Sequence, residues 1–364
     1  MTATKKIDQA FEEALSQGVF PGAAVAVGRP KKVLLKKAYG LAERTPVERK
    51  MSLKTYFDLA SLTKIFATTT LAMILNEKGL FDPETPAVKY FPSWKKEPYA
   101  KIRLKHLLQH NSGLPAYKPY FENLMPKAFE GLPPEAVRKT LFDKILKEGL
   151  DNEVGAVRAY SDLGFILLGS VLEKITEKPL DRLFHDWVAK PLKLEETFFL
   201  PLQGKAKKIP RTEFASTERC PLRRKILAGE VDDEHAWLLG GVAGHAGLFG
   251  SLGDTIQLAE EFLKMNEDKS KIVKRETFRR FVDPKPPFGF DTPSPQNSQA
   301  GTLFSKDSIG HLGFTGTSVW IDLAKKFYVI LLTNRVHPHR YNEGIKVFRP
   351  KIHDLLIQGF RLAK

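Results

Sequence analysis

Ser61-Leu62-Thr63-Lys64 sets a hydroxyl and an amine three residues apart at the head of an apolar run, Ile65 to Leu75, with no Gly or Pro before Gly79. On a helix this spacing puts both side chains on one face, one turn apart. A serine hydroxyl is a weak nucleophile, and a lysine kept neutral by burial can take its proton. Ser93-Trp94-Lys95-Lys96 has the same spacing, but it follows Pro92 and runs into Glu97, a segment that reads as solvated. Only the first copy leads into a buried-looking helix, where a serine also reads as a plain N-cap.

Two further segments carry reactive groups beside turn signals. Tyr160-Ser161-Asp162 precedes the apolar stretch from Leu163, so a turn there presents Tyr160, while Asp162 either caps the helix or joins a site. His311-Leu312-Gly313 precedes a β-rich run, and Gly313 lets a substrate approach the strand edge closely. Taken singly, Tyr160 reads equally as a packing residue and His311 as an ordinary histidine. His106 and His110 have the spacing of metal ligands but lack the intervening Glu of H-E-x-x-H. Helix packing or loop anchoring is expected of them, with no metal and no cofactor.

The elements that must position these groups follow from periodicity and breakers. Residues 5–17 read as an amphipathic helix with Ile7, Phe11 and Leu15 on one stripe. Ala23 to Val27 and Val33 to Lys37 read as a hairpin about Gly28-Arg29-Pro30. After the Ser61 helix the chain turns mainly helical, over Leu104 to His110, Pro134 to Glu148, Leu163 to Ile175 and Leu180 to Val188. Gly240 to Gly247 is a glycine-rich loop without the G-K-[ST] of a phosphate loop, followed by a helix from Thr255 to Met265. Residues 283–300 read as a surface connection. Ser318 to Ile321 and Phe327 to Leu332 read as strands, and Asn342 to Phe360 as a final helix. Strands from both ends of the chain can therefore join one antiparallel sheet, with a helical insertion as a second lobe. A site would lie in the crevice between them.

Composition limits the alternatives. The 364 residues are 42% hydrophobic, enough for a substantial core, and the single cysteine, Cys220, permits no intrachain disulfide. A net charge of +15 raises the question of nucleic acid. The basic clusters, Lys205 to Lys208, Arg223-Arg224-Lys225 and Lys269 to Arg275, are short and not interleaved with stacking aromatics, so nucleic acid is not the expected partner. No stretch approaches the ~18 apolar residues of a membrane span. Met1 to Gly18 lacks an apolar signal core, which makes a cytoplasmic location the expectation.

Taken together and in this order, S-x-x-K, Tyr160-x-Asp162 and His311-x-Gly313 resemble the motifs of the penicillin-recognising serine hydrolases, which include class C β-lactamases, D,D-peptidases and certain esterases. The segment Ile102 to Pro115, the Gly241 to Phe249 loop and Gly310 to Asp322 extend the resemblance over most of residues 5–360. It implies a bacterial protein of the α+β, two-lobed β-lactamase/transpeptidase-like fold. An antiparallel sheet lobe would comprise about residues 1–60 and 245–364, and a mainly helical lobe about 61–244. It also implies that Ser61 attacks a carbonyl, that Lys64 assists, that Tyr160 relays a proton, and that the backbone N–H groups of Ser61 and Phe314 form an oxyanion hole. One such donor is typically worth about 3 to 4 kcal/mol in the transition state.

The departures from that pattern bear on substrate. Asp162 stands where the family usually has Asn, and a carboxylate there can pair with Lys64, raise its pKa and shift the role of base to Tyr160. His311 and Leu312 replace the lysine and threonine usual in β-lactamases, which weakens recognition of a substrate carboxylate. Arg335 and His337, after the Phe327 strand, are candidates to restore it or are simply a charged strand end. His245 is a candidate crevice residue or a conformational element of its glycine-rich loop. The expected activity is metal-independent hydrolysis, through an acyl-enzyme, of an ester or of a D-amino-acid-containing amide such as a peptidoglycan fragment. A class C-like β-lactamase and a silent penicillin-binding sensor or scaffold are the alternatives. The oligomeric state is left open.

Overall fold

The computed structural model describes residues 2–203 and 208–363, so residues 205–207 of one basic cluster lie outside the described residues. At its centre is a six-stranded antiparallel sheet in the spatial order Arg49–Lys50, Lys32–Glu43, Gly22–Arg29, Phe327–Thr333, Ser318–Asp322, Ser308–Leu312. The strands from the two ends of the chain meet in the middle, with Ala23 opposite Thr333 and Val27 opposite Val329.

Both faces of the central strands are covered, which is why their sequences are continuously apolar rather than alternating. Ala23, Val25, Val27, Val329 and Leu331 face the helices Ala3–Ser16 and Ile345–Gly359, meeting Ile7, Phe11, Ile352 and Leu356. Ala24, Ala26, Ile330 and Leu332 point the other way, into the large core shared with the helix Leu252–Asn266 and the Ser61 helix. Each of these larger side chains contributes roughly 1.5–3 kcal/mol by burial. A small sheet of Phe57–Asp58, Leu248–Gly250 and Thr197–Phe199 ties the strand before Ser61 to the segments after the helical insertion.

The architecture is the expected α+β arrangement of antiparallel sheet and helices, with several boundaries moved. The first hairpin is longer than its apolar runs because ladder pairing continues past them, over Gly22–Arg29 and Lys32–Glu43. Ala14 rather than Leu15 completes the fully buried stripe of the first helix. The helix from Leu104 stops at Leu108, and that from Leu180 gives way at Phe184 to a π-helical turn, His185–Ala189. The final helix begins at Ile345 because the Asn342 side chain turns the chain, donating to the Gly18 carbonyl and accepting from the Gly344 N–H. Residues 283–300 are not a simple surface connection. Phe288 and Phe290 are buried, and Asp291 exchanges backbone hydrogen bonds with Gly310 at the sheet edge. Among the described residues no helix is long and apolar enough to cross a membrane.

Candidate active site

The strand Phe57–Asp58 delivers the chain to Ala60, whose φ of +47° is uncommon for a residue with a Cβ. Asp58 holds this turn. Its Oδ1 accepts the Ala60 N–H at 2.9 Å and its Oδ2 the Asp232 N–H at 2.7 Å. Burial raises the Asp58 carboxyl to about 6 in spite of those two donors. The helical turn opens immediately afterwards, with Leu62, Thr63 and Lys64 donating to the carbonyls of Leu59, Ala60 and Ser61. Ser61 thus sits at the helix head, and Lys64 enters a π-helical turn, Lys64–Thr69. Ser93 is exposed on a short 3-10 turn.

Lys64 is 0% exposed, and its Nζ donates to Ser61 Oγ at 2.7 Å, to Asp162 Oδ1 at 2.7 Å and to the His245 carbonyl at 3.2 Å. Three acceptors match the three donors of an ammonium group. Lys64 thus forms the pair with Asp162 that a carboxylate at this position allows. Burial pushes the Asp162 carboxyl up, but the charges of Lys64 and His245 more than offset this and leave it below the usual carboxylate range.

Tyr160 Oη lies 2.8 Å from Ser61 Oγ. The residue as a whole is 41% exposed, yet loss of solvent around it, joined by the nearby Asp162 charge, raises the phenol well above its ordinary value. Tyr160 is accordingly a neutral hydroxyl at rest. The role of base that the sequence shifts to Tyr160 would therefore be played by a neutral phenol and not by a standing phenolate.

Three loops hold this group together. His110, at φ +58°, is buried and accepts the Ser161 N–H on Nδ1 at 3.0 Å, while its ring lies 4.7 Å from that of Tyr160. Burial keeps it neutral and able to accept. His106 instead accepts the Arg103 N–H at its own helix start, so the two histidines serve separate backbone contacts. The glycine-rich loop brings Gly244 against Gly169 of the helix Asp162–Thr176, where a Cβ on Gly244 would strike the Phe165 carbonyl and sit 2.8 Å from the Gly169 nitrogen. Its carbonyls then receive Thr68 Oγ1 and Lys64 Nζ. At Gly313 the space a Cβ would need is filled by Thr317 Oγ1 and the Leu59 carbonyl, so this glycine admits the protein's own backbone rather than a substrate. Thr315 and Thr317 hydroxyls donate to the Asp58 and Leu59 carbonyls and lock this loop to the Ser61 strand. Neither the Ser61 nor the Phe314 N–H has an acceptor among the described residues.

The remaining sequence candidates are distributed differently from expectation. His311 donates through Nδ1 to the Leu312 carbonyl, and its buried Nε2 has no partner among the described residues. Its ring centre lies 5.8 Å from that of Tyr160, and none of its hydrogen bonds reaches Ser61, Lys64 or Tyr160. Arg335 spends its N–H groups on the carbonyls of Phe314, Arg340 and Asn342 and lies over the Phe314 ring at 4.7 Å. It shapes the Phe314 loop rather than offering a free fork. His337 bridges the Thr217 carbonyl and the Arg44 N–H and lines neither cavity at Ser61. The His245 side chain is buried against Asp233, with Nε2 to Oδ1 at 2.7 Å, and only its carbonyl enters the site.

Ser61, Asp162 and Phe314 stand where two cavities meet. One, of about 530 Å³, is basic and contains Tyr160, His311, Arg158, Arg335, Lys346 and Arg349. The other, of about 370 Å³, is acidic and contains Asp232, Asp233 and Glu234 with Arg340. A larger one, about 620 Å³, is lined by none of the site residues. Arg158, paired with Asp291 at 2.7 Å, and Arg349, whose buried Nε has no partner among the described residues, were not singled out in the sequence, since isolated arginines carry no local signal. Burial and the neighbouring Arg335 lower Arg349 to about 10. The acidic wall did have a signal: Glu230-Val231-Asp232-Asp233-Glu234 is a run of acids in a basic chain.

A family model described as Beta-lactamase matches residues 7–349. The chain is 33% identical over 367 residues to an N-acetylmuramyl-L-alanine amidase of Bacillus subtilis (strain 168), covering 92% of this chain and 81% of that protein. It is 31% identical over 349 residues to a putative D-alanyl-D-alanine carboxypeptidase of Escherichia coli (strain K12), covering 87% and 79%. Among solved structures, EstCE1, a hydrolase with promiscuous acyltransferase activity, superposes with a TM-score of 0.70 at 23% identity over 96% of this chain and 98% of that one. A simvastatin synthase mutant from Aspergillus terreus gives 0.71 at 17% identity over 99% of both, a likeness of fold.

Proposed function

The chain belongs to the β-lactamase family, and from that premise we propose that it is a metal-independent serine hydrolase that forms an acyl-enzyme at Ser61 and cleaves an amide or ester whose leaving group carries a carboxylate, as in a peptidoglycan-derived peptide. The observation that carries this reading is the position of Ser61 Oγ, 2.7 Å from Lys64 Nζ and 2.8 Å from Tyr160 Oη at the junction of the two cavities.

Ser61 Oγ attacks the carbonyl carbon, and the developing oxyanion is held by the Ser61 and Phe314 N–H groups. As the Oγ–C bond forms, the serine proton passes to Tyr160 Oη while Tyr160 gives its own proton to the departing nitrogen or oxygen. A neutral tyrosine suits this relay, and no phenolate accumulates. The Lys64 ammonium, fixed by Asp162, stabilises negative charge on Oγ through the transfer. Water then follows the same path in reverse, restoring Ser61 and releasing the acid.

Because Tyr160 lines the basic cavity, the leaving group lies on that side. Arg158, held by Asp291, Lys346, paired with Glu343, and Arg349, whose buried Nε has no partner among the described residues, together supply positive charge for a carboxylate, in place of the residues the family usually has at His311 and Leu312. Relatives named as an amidase and a putative carboxypeptidase support the cleavage of an amide.

The test is intact-protein mass spectrometry after mixing with a fluorescent penicillin, alongside hydrolysis of p-nitrophenyl acetate, in wild type and Ser61→Ala. A covalent adduct or turnover that vanishes in Ser61→Ala is the expected result. Adduct or turnover of equal size in both proteins would refute the mechanism.

A further inference from the structure

The acidic cavity contains one carboxylate that the fold leaves without a counter-ion. Asp162 is paired with Lys64, Asp233 with His245, and Glu234 shares Arg340 with Glu218. Asp232 differs. It is 3% exposed and lines the cavity, and its Oδ1 is buried with no hydrogen-bond partner among the described residues. Arg223, whose charge acts on Asp232, donates to the backbone carbonyls of Val231 and Asp232 rather than to this carboxylate.

We propose that this cavity binds a primary ammonium group carried by the acyl portion of the substrate, with Asp232 as its counter-ion. The proposal rests on the acyl-enzyme reading above, since it is Tyr160 in the opposite cavity that assigns this one to the acyl side. A buried carboxylate without a partner is costly, and a ligand supplying both a positive charge and N–H donors removes that cost. Burial, with repulsion from Glu218 and Asp58, raises Asp232 to about 6 in spite of the Arg340 and Arg223 charges nearby, neither of which pairs with its carboxylate. A metal ion fits poorly, because the neighbouring carboxylates are already engaged and it would find a single free one. The Tyr117 ring, half exposed on the cavity wall, offers a face to an ammonium group as well. With the basic cavity on the leaving-group side, the preferred substrate is doubly charged, positive before the scissile bond and negative after it.

The experiment compares p-nitrophenyl heptanoate with p-nitrophenyl 6-aminohexanoate, equal in length and differing in a terminal methyl or ammonium. Wild type is expected to favour the amino ester by roughly 10- to 100-fold in kcat/KM, as a charged hydrogen bond is worth. In Asp232→Asn the ratio of the two is expected to fall towards one. Pentylamine is expected to inhibit heptanoate hydrolysis by wild type more strongly than 1-pentanol, a readout that needs no variant. Heptanoate turnover with no preference for the amino ester, or a preference that survives Asp232→Asn, overturns the ammonium site alone. If neither ester is turned over in a Ser61-dependent way, it is the hydrolase reading that fails.

Discussion

In the proposed mechanism Tyr160 and Lys64 divide the work at Ser61 according to their surroundings. The lysine is held as a cation by three acceptors, and the tyrosine as a neutral hydroxyl by burial and Asp162. The relay through Tyr160 matters most when the leaving atom needs a proton. Tyr160→Phe should therefore lower kcat/KM by about 10²- to 10⁴-fold on a peptide amide and much less on a p-nitrophenyl ester, whose phenolate departs unprotonated. Steady-state rates on the two substrate types check this, and equal losses on both would remove the relay. The motif residues were legible because helical spacing alone makes Ser61 and Lys64 meet. The pairing of Lys64 with Asp162 was readable only as one option, since Asp162 stands 98 residues away and reads equally as a helix cap.

At the scale of elements, the site is assembled by close approaches between backbones. Gly244 packs on Gly169, and the carbonyls that follow grip Thr68 and Lys64. Gly244→Ala should push this loop from the helix, costing about 1–3 kcal/mol of stability as other overpacked sites do. It should also lower kcat more than it raises KM, because the displaced loop carries the acceptor for Lys64 rather than a substrate contact. Urea unfolding and a kcat against KM comparison measure the two effects, and an unchanged kcat would remove the loop from catalysis. Helix and strand segments were readable from apolar period and breakers. The π-helical turn at Lys64 and the tucked segment around Phe288 and Asp291 were not, because no local residue pattern demands either one and only packing against other parts of the chain selects them.

Across the whole molecule, the two cavities give the cleft a dipolar character despite the net charge of +15. The acidic side has a thermodynamic cost. Asp58 and Asp232 are both raised from 3.8 to about 6 by burial, with Glu218, Asp233, Arg223 and Arg340 around them. Protons bound more tightly in the folded state stabilise it fully below the unfolded value near 4, and this contribution is lost as pH rises through about 6. Each group accounts for on the order of 3 kcal/mol. Urea unfolding at several pH values should show a smaller loss of stability between roughly pH 4 and 7 in Asp232→Asn than in wild type. An identical slope in both would mean that Asp232 titrates normally. The sheet-plus-helices architecture was legible because apolar strands occur at both ends of the chain. The basic cavity wall was not, since Arg158 and Arg349 converge only through tertiary packing, whereas Asp232 stands in a run of acids that the sequence does display.

The pairing of Gly22–Arg29 with Phe327–Thr333 also sets the order in which the protein can be made. An early strand waits for a partner that the ribosome supplies only after the helical lobe, and contacts so distant in sequence form slowly. Until then Val25 and Val27 lie on an open apolar edge, the kind of surface that recruits chaperones or aggregates. The loop carrying Phe314 comes just before that late strand, so the oxyanion hole proposed for Ser61 can be assembled only once this distant part of the chain has been made.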